Sequence, residues 1–155
     1  MTRLLALALL ALAAHPLAAR ESLGVYESWA AFKDASPPRC YAIARAEGTG
    51  GGYATVSNWP ERKVRGAVYF ALSREVADKS AVRLAVGEKR FDLVAKSRNA
   101  WARDAQGDAA ILAALRSGTR MSVSGRGPKG AFTDRYTLAG AATAIDAAIV
   151  GCARR

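Results

Sequence analysis

Hydrophobic and polar residues alternate with a period of two over most of the chain, the signature of half-buried strands. The clearest case is 82–94 (VRLAVGEKRFDLV). There Val82, Leu84 and Val86 face one way, Phe91 and Leu93 answer them, and Gly87, Glu88 and Lys89 form a hairpin turn between. Residues 24–32 read as a first strand with Val25, Glu27 and Trp29 on one side. Pro37 and Pro38 make 34–39 a turn. Residues 40–45 form a second strand that sets Cys40 and Ala42 opposite Tyr41 and Ile43. A glycine-rich loop at 48–52 precedes a strand at 53–57, and the apolar run 67–72 reads as a buried strand. A second hairpin joins 121–123 to Phe132 and Tyr136 through the loop 125–130.

Two stretches change period. Asp108 can cap a helix at 109–117, where Ile111, Leu112 and Leu115 share a face and Gly118 follows. Over 140–150 a second helix places Ala141, Ile145, Ala148 and Cys152 on one side. The expected fold is therefore mainly β: a small antiparallel sandwich or barrel-like domain with one short helix and a C-terminal helix.

The start of the chain follows neither period. Arg3 is followed by eleven uninterrupted apolar residues, 4–14, then by Ala18 and Ala19. Eleven residues make only about 16 Å of helix against roughly 30 Å of hydrocarbon, so the segment reads as a secretory signal peptide, not an anchor. Cleavage is expected between Ala19 and Arg20. Residues 20–155 then form one β-rich domain without a transmembrane segment, in the periplasm, secreted or at the cell surface. The single histidine, His15, leaves with the signal. A mature chain without histidine has no Ser-His-Asp triad, Cys-His pair or His-ligated metal, so no catalytic, cofactor-binding or metal-binding residue is assigned. In an oxidising compartment the two cysteines, Cys40 and Cys152, are expected to form a disulfide closing 152 − 40 = 112 residues; two buried free thiols are the competing reading.

Charge adds one further feature. The chain carries 23 Lys and Arg against 13 Asp and Glu, and removing the signal with Arg3 leaves 22 − 13 = +9. Arg62, Lys63 and Arg65 cluster after Trp59 and Pro60, and Arg154 and Arg155 end the chain. Arg126, Lys129 and Arg135 decorate the second hairpin, where Gly125, Gly127 and Gly130 could turn backbone N–H groups into an anion-binding concavity. A solvated hairpin tip is the alternative there, and plain solubility is the alternative for the basic surplus as a whole. For an exported chain the candidate anions are lipid head groups, envelope polysaccharides or an acidic protein; nucleic acid is not expected. Trp29, Trp59 and Trp101 read as core or core-edge residues, with Trp59 the one placed to stack on a sugar ring. The pairs Asp104/Asp108 and Glu75/Asp78 could in principle serve an acid–base hydrolase, but Asp108 is better explained as a helix cap and Glu75 and Asp78 as part of a charged surface turn.

The residues also resemble a known family. A signal-like start precedes Trp29-Ala30-Ala31-Phe32 and Cys40-Tyr41-Ala42; later come Leu115-Arg116-Ser117-Gly118 and Tyr136-Thr137-Leu138-Ala139-Gly140 before an Ala-rich helix. Together these resemble the invasion-associated locus B family of alphaproteobacterial envelope proteins. The resemblance implies a β-sandwich-like exported protein with no catalytic residues to carry over; many relatives are expected to have an additional cysteine pair. Function is thus expected to be non-enzymatic binding in the envelope. A protein inhibitor or chaperone-like factor is the first alternative, and a carboxylate-dependent hydrolase the second.

Overall fold

The computed structural model describes residues 20–153. Ten strands form one antiparallel sheet: β1 (Arg20–Tyr26), β2 (Trp29–Ala35), β3 (Pro38–Arg45), β4 (Tyr53–Trp59), β5 (Val64–Ala71), β6 (Val82–Val86), β7 (Lys89–Lys96), β8 (Asn99–Trp101), β9 (Arg120–Gly127) and β10 (Gly130–Thr137). Helix α1 (Ala105–Ser117) precedes β9, and α2 (Ala141–Ala153) follows β10. Strand order is β1-β2-β3-β4-β5-β8-β7-β6-β9-β10. The mainly β fold with two helices is as the period-two pattern predicts.

β7 divides the sheet into two leaves. Its first half pairs with β6, as in Val82 with Leu93, and its second half with β8, as in Val94 with Trp101. The far edge then returns toward the first leaf. Trp29 Nε1 donates to Thr137 O at 3.0 Å, and Glu47 N donates to Arg135 O at 2.8 Å. One core fills the interior, with Trp29, Val56, Phe70, Leu84 and Val123 all under 2 % exposed.

Small residues let α2 approach the first leaf closely. Ala31, Ala42 and Ala54 face it from β2 to β4, and α2 offers Ala141, Ala144 and Ala148 in return. The disulfide Cys40–Cys152 fastens this helix to β3 with a Cα separation of 5.7 Å. Gly140 makes the entry to α2 possible: φ is +84°, and a Cβ there would sit 1.8 Å from Tyr26 O.

Several boundaries differ from expectation. The stretch 24–32 is two strands, broken where Glu27 takes φ 54° and Ser28 N donates to Ala139 O. Val25, 72 % exposed, and Trp29, 1 % exposed, consequently do not share a face. The turn at 34–39 shrinks to Ser36 and Pro37, because Asp34 pairs with Arg39 and Ala35 with Pro38 in the β2–β3 ladder. α1 begins earlier than expected. Asp104, not Asp108, caps it by accepting from Gly107 N at 2.8 Å, while Asp108 accepts from Val68 N where β5 outruns β8. Gly118 ends α1 as expected, though in extended conformation, pressed against Val86 and Leu138. The 125–130 loop is also shorter than expected: Gly125 and Gly127 continue β9, leaving Pro128 and Lys129 as the turn. Residues 1–19, read above as a signal peptide ending at Ala19, and Arg154 and Arg155 lie outside the described residues.

Candidate functional site: an aromatic and guanidinium face

Both helices pack on the inner side of the first leaf, leaving its outer side without a helix. Antiparallel pairing puts directly opposed residues on the same face. One outer row runs Ala30, Ile43, Thr55, Tyr69 and Trp101 across β2, β3, β4, β5 and β8. Beside it run Phe32, Tyr41, Ser57 and Ala67. The face is thus built from aromatic rings interleaved with hydroxyls.

At one end these rings alternate with arginines. The Arg39 guanidinium lies 3.9 Å from the Tyr41 ring centroid and 5.1 Å from that of Trp59. Arg20 lies 5.7 Å from Tyr41 on the near side, and Arg62 lies 4.9 Å from Trp59 on the far side. The sequence of groups is Arg20, Tyr41, Arg39, Trp59, Arg62, each cation within reach of an aromatic quadrupole. Asp34 holds Arg20 and Arg39 in place, with a carboxylate oxygen 3.0 Å from each guanidinium. The hydrogen bond to Asp34 raises the pKa of Arg20 above its ordinary value. Arg62 enters the ladder through a short 3-10 turn, Pro60–Arg62, with proline at its first position. Lys63 and Arg65 follow at once, exposed. Arg62, Lys63 and Arg65 are not ion-paired among the described residues. Three ladder cations against one carboxylate leave the ladder at 3 − 1 = +2.

The other end of the face is a second aromatic cluster. Tyr53 and Tyr69 rings lie 6.2 Å apart, and Tyr69 Oη donates to Asn99 Oδ1. Burial pushes the Tyr69 phenol up, with Tyr53 adding to the shift. Beside Tyr53 opens a cavity of about 330 Å³ whose lining includes Glu27, Ser28, Ile43 and Arg45.

Of the residues singled out from sequence, Trp59, Arg62, Lys63 and Arg65 come together here. Arg126, Lys129 and Arg135 do not converge. Arg126 pairs with Ala131 four residues from Arg135, about 14 Å along the strand. Only Gly130 of the three hairpin glycines has positive φ, so the expected backbone concavity is absent from this turn. Lys129 instead lines a separate cavity of about 460 Å³ with Arg74 and Glu75. Asp104 and Asp108 are both committed to backbone N–H groups; burial raises the Asp108 carboxyl above its ordinary range. Among the described residues no three His, Cys, Asp or Glu side chains come together as metal ligands, and no helix is long and apolar enough to cross a membrane.

Sequence reasoning missed the roles of Arg20, Arg39 and Tyr41. Alternation alone already sets Tyr41 opposite Cys40, so a signal for the second face existed in 40–45. The architecture defines the class: a mainly β, all-antiparallel domain with a disulfide-tethered helix on one side and, on the other, an aromatic and basic face that no helix covers. Comparison with family models, curated proteins and solved structures gives no match for this chain.

Proposed function

We propose that this chain is an exported, non-enzymatic envelope protein, of the kind its resemblance to invasion-associated locus B proteins implies, that binds an anionic envelope or host component. In this reading residues 1–19 direct export, the bond between Ala19 and Arg20 is cut, and the mature protein works in the periplasm or at the cell surface. The Cys40–Cys152 disulfide supports that compartment, since such bonds persist where thiols are oxidised.

The observation that carries the reading is the ladder Arg20, Tyr41, Arg39, Trp59, Arg62 on a face without a helix. Clustered cations over low-dielectric rings attract anions and raise their encounter rate in a salt-dependent way. Binding moves from the hairpin favoured by sequence to this face, where the cations are held close together.

Co-sedimentation of the mature protein with bacterial envelope fragments, at low and at high salt, tests this. Wild type should sediment at low salt and be released at high salt, whereas Arg62→Glu with Lys63→Glu and Arg65→Glu should stay in solution. Equal sedimentation of the two proteins at low salt would remove the face from the function.

A further inference from the structure

We infer that the anion recognised by this face is an extended acidic polysaccharide, lying along β4 from Tyr53 to Trp59; this rests on the anion-binding reading above. Tyr53 and Trp59 begin and end the same strand, six residues and about 20 Å apart. Each end pairs a partly exposed ring with a cation. At one end Trp59 lies against Arg39 and Arg62; at the other Tyr53 lines the cavity that Arg45 also lines. A small anion would occupy one end only. A polymer with a charged group on successive rings occupies both, its apolar sugar faces on the aromatics and its carboxylates on the guanidiniums.

The middle of the face fits the same ligand. Thr55 and Ser57 lie between the ends on β4, flanked by Tyr41 and Tyr69; both are buried, so this stretch bridges the two ends and the ligand's contacts fall on the rings and guanidiniums there. Tyr41 is 2 % exposed beneath its arginines, so stacking falls to the rings at the two ends, Trp59 and Tyr53, each beside a cation.

The test is binding of the mature protein to oligogalacturonate long enough to span both ends. Polyphosphate of matched charge, a neutral malto-oligosaccharide and phosphatidylglycerol vesicles serve as comparators. Oligogalacturonate should bind more tightly than each comparator and more tightly than digalacturonate. Trp59→Ala and Tyr53→Ala should each weaken it about tenfold and weaken polyphosphate binding less. Tyr53 is 38 % exposed, so that variant should keep its thermal midpoint and report on binding alone. If polyphosphate binds as well as oligogalacturonate, or both ring variants bind like wild type, the polysaccharide assignment fails although anion binding stands. Tighter binding to vesicles would make the surface a lipid one and overturn the assignment as well.

Discussion

Strands β3 and β4 bury both of their faces, but by different means. On the inner face Cys40, Ala42 and Val56 are at most 1 % exposed under α2. On the outer face Tyr41, Thr55 and Ser57 are at most 6 % exposed with no helix above them. There the cover is made of neighbouring side chains, chiefly Arg20 and Arg39 over Tyr41 and Phe32 beside it. Small apolar residues under a tethered helix leave no room for change. Outside, buried rings lie beneath guanidiniums that Asp34 holds, so the groups presented to solvent are cations and the partly exposed Tyr53 and Trp59. The difference separates stability from recognition within single strands.

The largest expected effect breaks the inner side. Cys40→Ser or Cys152→Ser should lower stability by about 2–5 kcal/mol in chemical denaturation, since the bond closes 112 residues. The oxidised protein should also fail to react with a thiol reagent after denaturation without reductant.

Adjacent residues can sharpen the contrast. Ala42→Leu should cost about 1–3 kcal/mol because it drives bulk into the α2 contact. Ile43→Leu, one residue on and facing outward, should cost less than about 1.5 kcal/mol. Equal losses would mean that the two faces are packed alike.

Tyr136 probes the interior between the leaves. Its hydroxyl is buried with no hydrogen-bond partner among the described residues, and burial raises its pKa with Asp134 adding to the shift. Tyr136→Phe should therefore stabilise the protein by about 1 kcal/mol. The sign with pH is definite. Above pH 10 the unfolded phenol ionises while the folded one keeps its proton, so stability present below pH 10 is lost as pH rises toward the folded value. Tyr136→Phe should flatten that alkaline decline, as thermal midpoints measured from pH 9 to 11 would show.

The smallest effect belongs to the β9–β10 hairpin. Arg126→Ala with Lys129→Ala should change stability by less than about 0.5 kcal/mol, both side chains being exposed. It should also weaken binding to envelope fragments less than charge reversal at Arg62, Lys63 and Arg65 does. The opposite ranking would return the anion site to the hairpin.

The sequence made one side of this comparison legible and hid part of the other. Alternation placed Cys40 and Ala42 opposite Tyr41 and Ile43, and helical spacing put Cys152 on the face of Ala141, Ile145 and Ala148; the disulfide joins those two patterns. The turn at Glu27 was not legible, because it lacks the Gly, Pro or Asn that usually marks one and relies on a tertiary bond from Ser28 to Ala139. The sequence pointed to Asp108 as the cap of α1; only the fold, which brings Val68 N to Asp108, leaves that role to Asp104. Trp59 and the basic run after it stood out in one dimension. Arg20 and Arg39 did not, since only strand pairing brings them to Tyr41 and Trp59.

Backbone and indole chemical-shift mapping of the mature protein, titrated with oligogalacturonate at low salt, tests the central claim most directly. The account predicts the largest shifts at the Trp59 indole and at β3 and β4 amides from Arg39 to Trp59, suppressed by high salt. Shifts concentrated on Arg126, Lys129 and Arg135, or spread evenly over surface arginines, would contradict it.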